Sequence, residues 1–270
     1  IEIEAKIGRI LRKDSDERIV LPVMTPTVLE KVWAEKQTRF ESQMDVHEHR
    51  AMNEFLNACA TVSHNEAGRV AVRYSHPRET DSFRTLSPLG HKFLPAAVKR
   101  HTSASGGGNS QRGLKLRTTT DNATGKVTAR IVKVKVADLH IFNPGWEYDC
   151  RISLNLEANM LSRPDLPPYE DLVVDETTPA EGSVGVGVGV GVGESPDRNK
   201  DRLSYNHLCY RVDLTKVEVK GVAGAKYELE LEVDAHVLRE QMGRLAEGRE
   251  SGFVDVVSGF LDDATLLMRQ

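Results

Sequence analysis

Apolar and polar positions alternate with a period of two through most of the chain. In the opening "IEIEAK", Ile1, Ile3 and Ala5 fall on one face while Glu2, Glu4 and Lys6 share the other, as expected of a strand with one covered side. The alternation returns in residues 68–76 ("GRVAVRYSH"), 113–119 ("GLKLRTT"), 126–142 ("KVTARIVKVKVADLHIF"), 148–157 ("YDCRISLNLE"), 197–205 ("DRNKDRLSY"), 209–219 ("CYRVDLTKVEV") and 226–234 ("KYELELEVD"). With the first strand this makes about eight, the number at which an antiparallel sheet closes on itself. Helical spacing is confined to four segments. Residues 25–40 open on Thr25 before Pro26, a capped helix start. Residues 45–62 place Val46, Met52, Phe55, Leu56 and Cys59 on one face, and residues 234–248 and 253–270 read as helix.

The charged faces obey one parity. Glu228, Glu230 and Glu232 alternate with Leu229, Leu231 and Val233 near the C-terminus. Alternate strand residues lie roughly 6.6 Å apart, close enough for carboxylates to repel where water is excluded. Arg198, Lys200 and Arg202 share a face. Lys115 and Arg117 oppose Leu114 and Leu116; Lys133 and Lys135 oppose Val132, Val134 and Val136; Arg151, Ser153, Asn155 and Glu157 oppose Ile152, Leu154 and Leu156; Arg211 and Asp213 point together. One such strand is ordinarily a solvated face. Five or more together predict an α+β fold: a closed eight-stranded antiparallel barrel with a hydrophilic interior and helices packed on its aliphatic outside, a single domain over 1–270. Glycine-rich residues 101–113 and the Gly–Val repeat at about 180–196 read as flexible loops.

Net charge of −4 gives no general attraction to nucleic acid or anionic membrane, so a polyanion must be met by a local basic site. Cys59, Cys150 and Cys209 are too dispersed for a zinc cluster or disulfide scaffold and read as buried thiols. No apolar run approaches the ~20 residues of a membrane helix. The strand-like start without Met reads as a catalytic core lacking a natural N-terminal extension. His47 and His49 do not share a helix face and read as surface residues; Trp33 and Trp146 read as packing residues. There is no phosphate-binding glycine loop.

Clustered glutamates without His or Cys form a hard oxygen site suited to Mg²⁺ or Mn²⁺. Arginines and lysines around it suit a chain of phosphates, and the combination is a device for phosphoryl hydrolysis. In order and spacing, "IEIEAKIG", "LRTTTDNATGKV" with the lysine of "RIVKVKV", "YDCRISLNLE", "RNKDRLSY", "RVDLTKVE" and "ELELE" resemble the triphosphate tunnel metalloenzymes, and most closely the fungal-type mRNA 5′-triphosphatases. The resemblance implies that Glu2, Glu4, Glu230 and Glu232 hold the metal, supported by Glu228. It places Arg117, Lys133, Lys200 and Arg202 on the phosphates, with Arg198 shaping the same wall. Glu157 would orient the attacking water, and Asp213 and Lys6 would be wall partners. The implied reaction removes the γ-phosphate of triphosphate-ended RNA in mRNA capping, with a guanylyltransferase as partner, a homodimer as assembly and the nucleus as location. Ile7 stands where the family has an aromatic. A tunnel acting on inorganic polyphosphate or small organic triphosphates, and a non-catalytic phosphate-binding module, are the competing readings of the same faces.

Overall fold

The computed structural model describes residues 1–104, 113–174 and 195–270; the Gly–Val repeat and most of the glycine-rich stretch lie outside them. In chain order the elements are β1 (Glu2–Arg12), β2 (Thr27–Val28), α1 (Lys31–Gln37), β3 (Thr38–Glu41), β4 (Gln43–Met44), α2 (Val46–Asn65), β5 (Arg73–Ser75), β6 (Arg78–Thr85), α3 (Pro88–Lys92), α4 (Ala96–Ala104), β7 (Lys115–Asp121), β8 (Val127–Phe142), β9 (Asp149–Asn159), α5 (Tyr169–Leu172), β10 (Arg198–His207), β11 (Tyr210–Val219), β12 (Ala225–Val233), α6 (Ala235–Ala246) and α7 (Phe253–Met268).

Eight strands close a ring in the order β1–β9–β8–β7–β6–β10–β11–β12 and back to β1. The closing pair sets Glu4 against Glu232 and Lys6 against Glu230, so the two acidic strands from opposite ends of the sequence are neighbours. The outward side chains alternate with these and are aliphatic. Ala5, Ile7, Leu214, Leu229 and Leu231 are fully buried beneath Met52 and Leu56 of α2, Leu238 of α6 and Phe260, Ala264 and Leu267 of α7. Around the ring, Leu116, Val132 and Ala158 pack against Leu94, Val98 of α4 and Leu172 of α5. Each such aliphatic side chain is worth roughly 1.5–3 kcal/mol of burial. The apolar cores therefore lie outside the barrel, between sheet and helices.

The helix expected over residues 25–40 is shorter than its periodicity predicts. Glu30, not Thr25, is the cap, accepting from the N–H groups of Val32 and Trp33. Thr27–Val28 pairs with the end of β8, and Thr38–Glu41 pairs with β1; β-branched and aromatic residues find sheet partners and override a weak local helical signal. Of residues 68–76 only Arg73–Ser75 forms a strand. Residues 101–104, expected in a loop, are the last turn of α4. On α2, Met52 and Leu56 are buried but Val46 is exposed. His49 is half-buried against the Tyr227 ring rather than on the surface. Cys150 is buried, with burial pushing its thiol up to about 12, whereas Cys59 and Cys209 are partly exposed.

One buried carboxylate ties the first strand to the hairpin between β8 and β9. Asp149 accepts from the backbone N–H of Ile10 at 2.8 Å and of Asn143 at 2.9 Å, and from Arg18 at 2.6 and 3.0 Å. Truncating one partner of such a pair leaves the other donors unpaired in the interior. Asp149→Ala should therefore lower the unfolding free energy by about 3–5 kcal/mol in a urea titration.

Candidate active site

The inward faces of the ring enclose a cavity of about 790 Å³, within the ordinary range for a small-molecule site. All thirteen residues expected to work together line it: Glu2, Glu4, Lys6, Arg117, Lys133, Glu157, Arg198, Lys200, Arg202, Asp213, Glu228, Glu230 and Glu232. Lys135, which shares their parity, does not. A bulge in β8 between Lys135 and Ala137 breaks the register, and Lys135 pairs instead with Asp138 at 2.7 Å.

The carboxylates are held apart by cations. Lys133 Nζ lies 2.6 Å from Glu2 and 3.1 Å from Glu4, and Asn155 donates to Glu2 at 3.0 Å. Lys6 is 3.3 Å from Glu228 and in close contact with Glu230. Arg211 reaches both Glu232 and Asp213, and Arg202 lies 3.4 Å from Asp213. Neighbouring glutamates consequently titrate far apart. Burial alone would raise Glu230, but Lys6, aided by Lys200 and Arg202, holds it down to about 2. Burial, followed by repulsion from Glu2, Asp213 and Glu157, outweighs Arg211 and pushes Glu232 up to about 7. Glu157 is also raised, by burial and then by Glu2, against the pull of Lys133 and of Arg117, whose guanidinium stands 3.9 Å away. Lys6 itself is raised, because Glu230 and Glu228 together overcome its burial.

Sequence reasoning missed a whole wall. β6 lays Glu79 against Lys200 of β10 and Phe83 against Arg117 of β7 in strand register. Its Asp81 is buried 2.6 Å from Lys200 and accepts from Thr119 at 2.6 Å. In "RETDSFRT" the outward positions are Arg78, Thr80, Ser82 and Arg84, with both arginines exposed, so the strand lacks the aliphatic stripe that marked most of the others. A search for alternating charge alone would have found it. Lys115, Arg211, Thr215 and Lys226 also line the cavity.

Nine basic side chains face eight acidic ones across the lining. The interior is close to neutral, so a polyanion enters only if further positive charge accompanies it. Among the described residues no three His, Cys, Asp or Glu side chains converge to metal-ligand distance as they stand, because the lysines and arginines draw the glutamates into separate pairs. The donor set nevertheless fits a hard divalent cation: five glutamates on β1 and β12 with no nitrogen or sulfur donor among them. Setting aside Asp81 Oδ2, which has Lys200 at 2.6 Å, four cavity-lining side chains keep a buried polar atom without a hydrogen-bond partner: Arg117 Nε, Arg202 Nε, Glu157 Oε1 and Thr215 Oγ1. Buried groups of that kind are expected to find partners, and a bound anion with its water would supply them.

Comparison with known proteins places this geometry. The profile of the mRNA capping enzyme, beta chain, matches residues 1–270. The chain belongs to that family. It is 28% identical to the mRNA-capping enzyme subunit beta of Schizosaccharomyces pombe, covering all of this chain and 74% of that one. It is also 28% identical to the corresponding subunit of Cryptococcus neoformans var. neoformans, covering 56% of the relative. The S. pombe Pct1 RNA triphosphatase, solved in complex with the Spt5 CTD, superposes with a TM-score of 0.71 at 28% identity, over 99% of this chain and 85% of that one. Family membership and the closed ring agree with the resemblance that the sequence carries.

Lys200 holds the Asp81 carboxyl below its ordinary value of 3.8 despite burial. A carboxyl depressed on folding contributes stability that is present above the unfolded value and is lost as pH falls through the folded one. Asp81→Asn should therefore cost about 3 kcal/mol at pH 7, and the gap from the parent in urea denaturation should close as pH drops below about 3.8.

Proposed function

We infer that this chain is the triphosphatase of mRNA capping: it hydrolyses the γ-phosphate of a 5′-triphosphate RNA to give a 5′-diphosphate end and inorganic phosphate. The observation that carries this reading is one enclosed cavity in which five glutamates of β1 and β12 face the cations of β7, β8 and β10. A receptor for phosphate alone has no use for that surplus of carboxylates, which would repel its ligand.

Glu2, Glu4, Glu230 and Glu232 would hold Mg²⁺ or Mn²⁺, with Glu228 in support. The ion, when bound, neutralises charge on the γ-phosphoryl. Arg117, Lys133, Lys200 and Arg202 grip the phosphate oxygens, the arginines as planar forks and the lysines as point charges. Arg198 shapes the wall beside them, and Asp81 and Asp213 fix the directions of Lys200 and Arg202. Glu157 orients a water with Oε1, which takes no hydrogen bond from the protein and has Arg117 3.9 Å away. Water oxygen bonds to the γ-phosphorus as the bond to the bridging oxygen breaks, the β-phosphate leaves with those electrons, and the water's proton passes to a phosphate oxygen or to solvent. Lys6 and Lys133 pair with the same glutamates that would hold the ion. Work in capping supports a nuclear location; association with the guanylyltransferase that consumes the diphosphate end, and a homodimer, rest on the family resemblance.

Purified protein should release phosphate from 5′-triphosphate RNA with Mn²⁺ or Mg²⁺ and none in EDTA. Glu2→Ala, Glu4→Ala, Glu230→Ala and Glu232→Ala should each lose activity about a hundredfold or more with unchanged circular dichroism. Retained turnover in any two contradicts the assignment. Competition among triphosphate-ended RNA, ATP and tripolyphosphate ranks the substrates, with RNA expected to win.

A further inference from the structure

The chemistry of the wall changes in one direction along the barrel. On β11 the inward residues run Arg211, Asp213, Thr215, Val217, Val219; beside them β12 runs Glu232, Glu230, Glu228, Lys226. Carboxylates and their cations occupy one end, and aliphatic side chains with lysine the other. β6 repeats the change, from Asp81 to Phe83. Arg198, in register with Val219 on one side and Asp81 on the other, carries its guanidinium 5.0 Å from the centre of the Phe83 ring. Phe83 is the single aromatic among the described cavity-lining residues, and Leu114, Pro196 and Ile131 line the same cavity.

The aromatic and aliphatic side chains of this wall have no charge to offer a phosphate. Phe83 stands in register with Arg117, so the aromatic surface begins where the cations of the phosphate site end. We propose that Phe83 and Arg198 form a stacking platform for the first nucleobase of the substrate, a nucleoside subsite continuous with the phosphate site. An aromatic face beside a guanidinium plane is the surface on which bases of any sequence stack. The remaining groups at that end, aliphatic side chains and the point charges of Lys115 and Lys226, offer little to read a base edge, so the platform binds purine and pyrimidine alike.

This inference rests on the triphosphatase reading, and the test separates the two. In Phe83→Ala, KM for ATP and for triphosphate-ended RNA should rise about tenfold relative to the KM or Ki of tripolyphosphate, which carries no base, with kcat largely kept. Phe83→Tyr should restore the ratio. An unchanged ratio in Phe83→Ala, or a tyrosine variant as poor as alanine, overturns the platform while leaving the phosphatase intact. Phe83→Trp gives a readout that needs no turnover: its fluorescence should be quenched by a non-hydrolysable ATP analogue and not by tripolyphosphate, after subtraction of the parent signal. Equal response to both ligands overturns the proposal even in a protein that hydrolyses nothing.

Discussion

Closing a sheet around charge is the constraint on which the rest of this molecule depends. Glu4 and Glu232 are partners across the strand pair that shuts the ring, and like charges so placed repel unless something lies between them. The protein places Lys133, Lys6 and Arg211 there, each within ion-pair distance of acidic neighbours. The interior is thus a lattice of paired charges rather than a packed core. Stability is supplied by the outer face, where helices cover the aliphatic side chains of β1, β7, β8, β9, β11 and β12. A barrel inverted in this way needs its helices as much as its strands.

The same pairing explains why the site is poised. Burial raises both Glu230 and Glu232, two glutamates on one strand, but Lys6 holds the first down to about 2, whereas burial with three neighbouring carboxylates outweighs Arg211 and pushes the second up to about 7. A cluster that strains to stay ionised is one that would gain by receiving a cation. The gradient along β11 from Asp213 to Val219 then gives the cavity a direction, ionic at one end and greasy at the other.

Much of this was legible in the sequence because a period of two is hard to imitate: seven of the eight ring strands show alternation, six by charge opposing aliphatics and β10 by the parity of Arg198, Lys200 and Arg202. β6 stayed hidden because both its faces are polar, and with it went Asp81 and Phe83. Residues 25–40 misled because a helical spacing of apolar residues does not reveal that Thr27–Val28 and Thr38–Glu41 have strands waiting for them. Lys135 kept the right parity but lost its place to a bulge, an irregularity that no alternation records. Short helices such as α3 and α5 carry too few turns for a period to show.

The central claim is that an ionic interior accepts a divalent cation between the first and last strands of the ring. Anomalous diffraction from crystals soaked in Mn²⁺ tests it most directly. The account predicts one strong peak inside the barrel, among carboxylate oxygens of Glu2, Glu4, Glu230 and Glu232. Manganese found only on the outer surface, or no peak in the tunnel at saturating metal, would contradict it.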